Sequence, residues 1–258
     1  MSEPGYALVS GASSGIGECF ARALARRGHN LVLVARTKSK LEALAEGLST
    51  QHSVSAEPID IDLSVAGAAE RLLQILQQRR LDIDLLINNA GFGARGRFWE
   101  LPLARQAQMI RLNVAALVEL THLLLPPMVA RRRGAIINIS STAGFQPVPY
   151  TSAYAASKAF VASFSEGLAQ ELRGSGIVVV TLCPGGTRTN FFVASQYGRP
   201  NLPGGMQRPE DVVEAGLRCL DRGGGLVVPG VMNKLALVSQ RLLPRRVVAR
   251  VTARLFRP

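Results

Sequence analysis

Residues 6–17 read YALVSGASSGIG, an apolar strand-like run that leads directly into a glycine-rich loop and the start of a helix. Gly11, Gly15 and Gly17 would let this loop turn tightly and let its backbone approach a pyrophosphate. Free N–H groups and the dipole at a helix N-terminus favour an anion at the same place. Such turns also occur for packing alone, so it is the position between strand and helix that predicts a dinucleotide site.

Strand-like and helix-like runs alternate along the rest of the chain. Several strand candidates, such as LVLVA and AIINIS, are apolar at nearly every position, which is typical of strands covered on both faces. This alternation predicts one α/β domain over residues 1–258: a doubly wound, Rossmann-type parallel sheet of about seven strands with helices on both faces. The predicted strands are 6–10, 30–35, 53–59, 84–87, 134–140, 177–182 and 226–228; the predicted helices are 15–28, 39–49, 64–80, 102–132, 150–173, 209–221 and 233–255.

The end of the second predicted strand indicates which nucleotide the loop would bind. Enzymes that use NAD place an acid about twenty residues beyond the glycines, where it binds the ribose 2′-hydroxyl. Here residues 34–38 read VARTK, without an acid, and Arg36 offers a guanidinium that suits a 2′-phosphate. We therefore expect NADPH or NADP+ rather than NADH. Asp62 and Leu63, after the third strand, are candidate contacts of the adenine ring.

Tyr154 and Lys158 lie four residues apart in YAASK, and Ser141 precedes the tyrosine by thirteen residues. On a helix these two positions share one face, which would bring the ammonium near the phenol. A nearby positive charge lowers the pKa of a tyrosine toward the range of a general acid and base, and a hydroxyl can polarise a carbonyl. The same spacing also occurs on ordinary amphipathic helices, so the pair needs support from the rest of the chain.

Three further motifs follow along the chain: NNAG after strand four, NISSTAG, which contains Ser141, and PGGTRT after strand six. Together with SGASSGIG and YAASK, and in this order over nearly the whole chain, they resemble the motifs of the short-chain dehydrogenase/reductase family, in its compact, NADP-preferring branch. SGASSGIG matches the cofactor loop with Ser10 for the usual threonine, and Gly186 stands at a position that is commonly apolar or proline. The residues expected to bind the nucleotide, including those named above, are Gly11, Ser13, Ser14, Gly15, Ile16, Gly17, Arg36, Asp62, Leu63, Asn89, Ala90, Gly91, Tyr154, Lys158, Pro184, Gly185, Thr187 and Thr189.

The resemblance implies an oxidoreductase that moves a hydride between NADP(H) and a small-molecule carbonyl or alcohol substrate. Tyr154 would donate a proton to the carbonyl oxygen or accept one from the alcohol. Lys158 would lower the pKa of the tyrosine and bind the nicotinamide ribose, and Ser141 would hydrogen-bond the substrate oxygen. Asn113, in RLNVAALV, would anchor a water near Lys158 and complete a proton relay. Family precedent also implies a homodimer or homotetramer through the helices 102–132 and 150–173.

Three segments that follow strands are expected to frame the substrate. They are FGARGRFW at 92–99, FQPVPY at 145–150, and 186–207, which has the glycines, prolines and aromatic residues of a mobile lid. Their aromatic content favours an apolar ketone, aldehyde, ketoacyl or steroid-like compound, although the same side chains also suit loop packing. Arg95 and Arg97 are either contacts for an anionic group or solvated charges.

Composition bears on the disulfide bonds, metal sites and cellular location that can be expected. Three scattered cysteines and three histidines without ligand spacing argue against a disulfide framework and a metal site, and they suit a reducing, cytoplasmic location. The N-terminus lacks a basic segment followed by an apolar one, so no cleaved signal is expected. No apolar run is expected to reach the ~20 residues that span a bilayer.

The formal net charge of +12 is concentrated in a basic, helical C-terminal tail, residues 231–258. No Asp or Glu follows Asp221, and Arg246, Arg250 and Arg254 repeat at helical spacing. This pattern predicts either a solvated helix face or weak docking on an anionic membrane or an acidic partner. Nucleic acid is not expected, because no nucleic-acid motif accompanies the charge.

Two other functions stay open. A sugar epimerase or dehydratase of the related extended fold would need a separate substrate domain, for which the chain is short. A non-catalytic NADP(H)-binding sensor or scaffold with a docking tail would not need Asn113, Ser141, Tyr154 and Lys158 together. Cofactor binding without turnover would identify that alternative.

Overall fold

The computed structural model describes residues 5–191, 195, 205–241 and 243–257. Its seven-stranded sheet has the order β3-β2-β1-β4-β5-β6-β7, and every neighbouring pair is parallel. Strand order therefore reverses between β1 and β4, the point at which such sheets bind ligands. The predicted doubly wound sheet is confirmed. The strands are β1 (Tyr6–Ser10), β2 (Asn30–Ala35), β3 (Ala56–Asp60), β4 (Ile83–Asn88), β5 (Gly134–Ile139), β6 (Ile177–Leu182) and β7 (Gly225–Val227).

Helices cover both faces of the sheet. In β1, Leu8 packs into one core and Val9 into the other, because successive strand residues point to opposite faces. Helices α1, α2 and α7 cover the Val9 face, and α3, α5 and α6 cover the Leu8 face. The helices are α1 (Gly15–Arg26), α2 (Lys38–His52), α3 (Ala68–Gln78), α4 (Leu103–Ile110), α5 (Ala116–Ala130), α6 (Ser152–Glu171), α7 (Pro209–Asp221), α8 (Val231–Arg241) and α9 (Arg245–Phe256).

Two predicted helices are interrupted. A π-helical turn, Arg111–Ala115, separates α4 from α5 within the predicted helix 102–132. The predicted helix 233–255 is divided into α8 and α9 before Pro244, which lacks the N–H that a continuous helix needs. The third strand begins three residues later than predicted, at Ala56, because Ser53 adopts a left-handed conformation that ends α2.

The expectation about membrane-spanning length was wrong. The stretch Leu103–Ala130 forms 28 helical residues that are long and apolar enough to cross a membrane by length and composition. Its inner side chains, among them Leu120, Leu124 and Met128, are buried in the core on the Leu8 face of the sheet. A core helix of a globular domain satisfies the same length and composition criteria.

Two glycines give a matched test of this packing. A Cβ on Gly17 would lie 2.3 Å from the Gly11 carbonyl oxygen, whereas one on Gly47, in α2, would meet no atom within 4 Å. Gly17→Ala should therefore lower the free energy of unfolding by roughly 1–3 kcal/mol. Gly47→Ala should raise it by about 0.5–1 kcal/mol, since alanine favours a helix. Urea unfolding followed by circular dichroism measures both, and a Gly17→Ala variant as stable as the parent contradicts the packing.

Candidate active site

The loops after six neighbouring strands, β1 to β6, open into one cavity of about 600 Å³. All the predicted nucleotide-binding and catalytic residues line this cavity except Gly17 and Asn113. Gly17 lies beneath the loop, against Gly11, and Asn113 is buried behind Phe92. The structure therefore brings together residues that are widely separated in the chain.

The glycine loop is fixed by hydrogen bonds to the segment that follows β4. The Ser10 hydroxyl accepts bonds from the backbone N–H groups of Asn89 and Ala90, both at 3.0 Å, and donates to the Ile87 carbonyl at 3.1 Å. The Asn89 side chain returns a bond to the Ser10 carbonyl at 2.9 Å. Serine thus provides the hydroxyl of the threonine it replaces.

The loop leaves room for an anion at the start of α1. Ser14 occupies the N-cap position, but its side chain makes no capping hydrogen bond. Free N–H groups in the first turn of a helix attract anions, and Gly15 and Ile16 line the cavity there. Gly11 and Gly15 have φ of 69° and 60°, a backbone conformation that glycine adopts readily. This glycine cradle (residues 11–17) fits a dinucleotide pyrophosphate.

Arg36 lies at the rim of the cavity, where it is exposed and forms a 3.9 Å ion pair with Asp62. Burial acts to raise the pKa of Asp62, but two hydrogen bonds from Ser64 and the charge of Arg36 together lower it. Asp62 is therefore a stable carboxylate that holds the guanidinium near the nucleotide side of the cavity. Sequence reasoning chose both residues but missed that they are paired.

Lys158 is buried on the inner face of α6, and its Nζ donates a 2.7 Å hydrogen bond to the Ile139 carbonyl at the end of β5. Burial lowers the pKa of Lys158 to about 8, and the neighbouring Cys183 opposes this shift. Ser140 ties the same helix to β5 by donating to the Lys158 carbonyl at 2.7 Å. Neither Ser140 nor Cys183 was singled out from the sequence, although both flank predicted site residues.

Tyr154 lies one helical turn before Lys158 and lines the cavity, with its ring 5.4 Å from that of Phe191. Burial raises the pKa of Tyr154 to about 12, and the hydrogen bond with Ser141 opposes the rise. The contribution of Lys158 to this pKa stays a prediction, since burial and Ser141 are the causes of the shift in the structure. Burial has the larger effect on the phenol, and the ammonium is bonded to Ile139 instead.

Asn113 lies in the π-helical turn, which directs its amide at the backbone of Phe92. Its Oδ1 accepts from the Phe92 N–H at 3.1 Å, and its Nδ2 donates to the Phe92 carbonyl at 3.0 Å and to Ser157 Oγ at 3.1 Å. A Cβ on Gly91 would lie 2.9 Å from Asn113 Oδ1 and 3.6 Å from Lys158 Nζ. Glycine thus lets the two side chains approach one backbone segment, and the water at Asn113 stays a prediction.

Backbone hydrogen bonds join Gln207 to the start of the segment that follows β6. The Gln207 N–H donates to the Gly186 carbonyl at 2.8 Å, and its carbonyl accepts from the Arg188 N–H at 2.9 Å. Asn233 of α8 donates to the Gln207 side chain at 3.0 Å and leaves no room for a side chain at Gly185. The two ends of the predicted lid are therefore joined, while Phe192 and Tyr197 lie outside the described residues.

The substrate side differs from the prediction. Phe92, Gln146, Val148 and Phe191 line the cavity, but Phe98 and Trp99 are exposed. The C-terminal helices, which sequence reasoning assigned to a tail, form the apolar wall instead. The lining residues of these helices and of the segment between them are Asn233, Ala236, Ser239, Leu243, Val248, Val251, Thr252, Leu255 and Phe256.

Hydrogen bonds hold α9 against the cavity. Thr252 donates to the Pro147 carbonyl at 2.9 Å, and Arg95 donates to the Phe256 carbonyl at 3.0 Å and to the Arg257 carbonyl. Arg95 therefore positions the end of a helix, while Arg97 pairs with Glu100. The signal in the sequence was the spacing of Val248, Thr252 and Phe256, which gives the basic helix a second, inward face.

Comparison with known proteins agrees with this architecture. Residues 5–198 match the family model for short chain dehydrogenases. A very-long-chain 3-oxoacyl-CoA reductase of Danio rerio is 35% identical over 202 residues, which are 77% of this chain and 61% of that protein. The chain thus spans less than two thirds of the length of that reductase.

Two solved structures cover more of the chain. A short-chain dehydrogenase from Sphingobium yanoikuyae, in complex with NADPH, has a TM-score of 0.82 and 35% identity, with 92% of this chain and 94% of that one covered. A bulky-bulky ketone specific alcohol dehydrogenase from Comamonas testosteroni has a TM-score of 0.79 and 34% identity, with 93% and 94% covered.

The buried Lys158 makes stability depend on pH. Its pKa is about 8 in the folded chain and 10.5 in the unfolded one, so the unfolded state binds more protons between these values and stability rises with pH there. Below pH 8 the charged lysine costs roughly 3 kcal/mol. Lys158→Met removes this cost, so the stability of the variant relative to the parent should be highest below pH 8 and fall by pH 10.

Urea unfolding at pH 7 and pH 10 measures this difference. The readout is the change of this difference with pH, because it reports the ionisation of Lys158. The matched control is Lys40→Met, at an exposed position, whose difference from the parent should not change with pH. A Lys158→Met difference that is equally flat contradicts the buried charge.

Proposed function

The chain belongs to the short-chain dehydrogenase family of oxidoreductases, whose fold binds nicotinamide cofactors, and we propose that it is an NADP(H)-dependent reductase of apolar carbonyl compounds. The observation that carries this proposal is the single cavity in which the glycine cradle meets Ser141, Tyr154 and Lys158. A nucleotide in the cradle and a carbonyl beside Tyr154 would share this space. A non-catalytic binding protein would need only the part of the cavity that holds the nucleotide.

In the proposed reaction the bound nucleotide supplies the hydride, and the chain moves the proton. With a pKa of about 12, Tyr154 is protonated at neutral pH and can donate to the carbonyl oxygen of the substrate. Ser141 stabilises the negative charge that develops on that oxygen. Its hydroxyl is oriented by the Ala143 N–H, which donates to Ser141 Oγ at 3.1 Å.

Lys158 is placed to stabilise the phenolate that remains on Tyr154. With a pKa of about 8, most Lys158 side chains carry a proton at neutral pH. Asn113 and Ser157 are hydrogen-bonded to each other beneath this site, and Ser157 donates to the Tyr154 carbonyl at 2.7 Å. We propose that they fix the first turn of α6, so that the phenol and the ammonium stay on the cavity side.

The preference for NADP(H) is supported by Arg36. No acidic side chain follows β2 at residues 36–41, so the loop that would bind a ribose 2′-hydroxyl offers a guanidinium instead. The NADPH in the Sphingobium yanoikuyae structure is consistent with this choice.

The substrate class is supported by the aliphatic wall from α8 and α9. Leu243, Val248, Val251 and Leu255 would cover an acyl chain or a ring better than a sugar. By its name, the Danio rerio relative reduces 3-oxoacyl-CoA, and the Comamonas testosteroni enzyme is specific for bulky ketones. Both names agree with an apolar carbonyl compound as the substrate.

Assembly and location are proposals of the same kind. A homodimer or homotetramer through α4, α5 and α6 is supported by apolar side chains on their outer faces, among them Leu103, Ile110, Val129 and Phe160. A cytoplasmic location is supported by the free state of Cys19, Cys183 and Cys219.

Arg36→Ala tests the cofactor preference. A charge-assisted hydrogen bond to the 2′-phosphate contributes about 1.5–3 kcal/mol, so kcat/KM for NADPH should fall roughly 10- to 150-fold. The value for NADH should change little, because that nucleotide has no 2′-phosphate. Steady-state rates with both nucleotides measure this, with Arg26→Ala, an exposed arginine on α1, as the control. An equal loss with both nucleotides would refute the assignment.

Tyr154→Phe tests catalysis over a panel of acyl, steroid, aromatic and sugar carbonyls. Loss of the proton donor should lower kcat at least ~100-fold, while NADPH affinity measured by fluorescence stays near that of the parent. Tyr150→Phe is the matched control, since Tyr150 lies outside the large cavity. If the parent binds NADPH but reduces no carbonyl in the panel, the chain is a sensor or scaffold instead.

A further inference from the structure

Helix α8 presents an exposed row of apolar side chains. Val231, Leu235 and Val238 recur at one-turn spacing with Met232 beside them, and each is more than half exposed, from 57% to 71%. On α9, Val247, Val251 and Leu255 form a second row at four-residue spacing, with 38% to 51% exposure. Neighbouring apolar side chains of this size seldom face water in a soluble protein without a partner.

A basic row runs beside the apolar row of α9. Arg246, Arg250 and Arg254 follow one another at four-residue spacing, and all three are exposed. None of the ion pairs that the structure describes involves them, whereas arginines elsewhere, such as Arg22 and Arg27, pair with carboxylates. No Asp or Glu follows Asp221, so this part of the chain supplies no carboxylate side chain to neutralise them.

The packing of the inner face of α9 against the domain determines which way its apolar and basic rows point. Val248 and Thr252 are buried, and Thr252 is bonded to Pro147. Because α9 is held from the inside, its apolar and basic rows are presented outward together. Val251 and Leu255 also line the cavity, so the apolar row forms part of the cavity wall.

We propose that α8 and α9 form a docking surface for an anionic lipid bilayer. The basic row would contact lipid phosphates, and the apolar rows would enter the boundary between headgroups and acyl chains, as in amphipathic interfacial helices. A nucleic acid would match the charge but leave the rows of Val and Leu in water. If the proposed function holds, docking would also bring the cavity wall to the bilayer, from which an apolar substrate could enter.

Vesicle co-sedimentation of the full chain tests this proposal. The vesicles are equal parts phosphatidylcholine and phosphatidylglycerol, compared with pure phosphatidylcholine. The test variant is Arg246→Glu/Arg250→Glu/Arg254→Glu. The matched control, Arg26→Glu/Arg173→Glu/Arg222→Glu, makes the same change in net charge at exposed positions on other elements.

We expect binding to the anionic vesicles that weakens with salt, and no measurable binding to the neutral ones. The test variant should bind on the order of 100-fold more weakly, since each basic residue near an anionic surface contributes about a factor of five. The control variant should lose much less affinity. A second variant, Leu235→Ser/Val238→Ser, should bind more weakly without any change in charge.

Three outcomes would contradict the proposed docking surface. These are no binding of the parent chain to anionic vesicles, equal binding by the two triple variants, and unchanged binding by Leu235→Ser/Val238→Ser. A dimer in sedimentation velocity that this apolar variant abolishes, without vesicle binding by the parent, would assign the rows to a second copy of the chain. Thermal unfolding shows that each variant is folded, and NADPH oxidation with a soluble ketone tests the reaction separately.

Discussion

The close contact between the start of α1 and the loop before it is the constraint on which the rest of the site depends. A side chain at Gly17 would collide with the Gly11 carbonyl and with the amide of Asn89. Since Asn89 belongs to the loop after β4, this one contact sets β1, α1 and β4 against one another. It also brings the start of α1 to the point where strand order reverses, which is why the glycine cradle and Tyr154 share one cavity.

Burial, rather than attraction between the two side chains, has the largest effect on the pKa values of Tyr154 and Lys158. Burial raises the pKa of Tyr154 and lowers that of Lys158, so it favours the neutral form of both groups. In the proposed reaction the phenol would therefore begin as a proton donor, and Lys158 would respond to the negative charge that forms on it. Its bond to the Ile139 carbonyl keeps the ammonium at the strand end until then.

The sequence predicted the sheet, its order of elements and most of the cavity lining, because alternating apolar runs and strand-end motifs are local patterns. It did not predict the π-helical turn around Asn113, since one extra residue in a helical turn depends on tertiary bonds to Phe92 and Ser157. It also missed the wall from α8 and α9, whose contacts with Pro147 and Arg95 cross more than 100 residues of chain. Spacing placed Tyr154 near Lys158 but could not show the burial that raises the pKa of the phenol.

The glycine cradle and the aliphatic wall of the cavity come from opposite ends of the chain. The glycine cradle and Asn89, which is hydrogen-bonded to Ser10, lie within the first 89 residues, whereas the aliphatic wall comes from the last segment. Mutations that reshape the wall can accumulate without disturbing the nucleotide cradle. If the wall selects the substrate as proposed, substrate range could diverge between descendants of one ancestral gene while their coenzyme stays the same, and exchange of this terminal segment between homologues would be a route to new specificities.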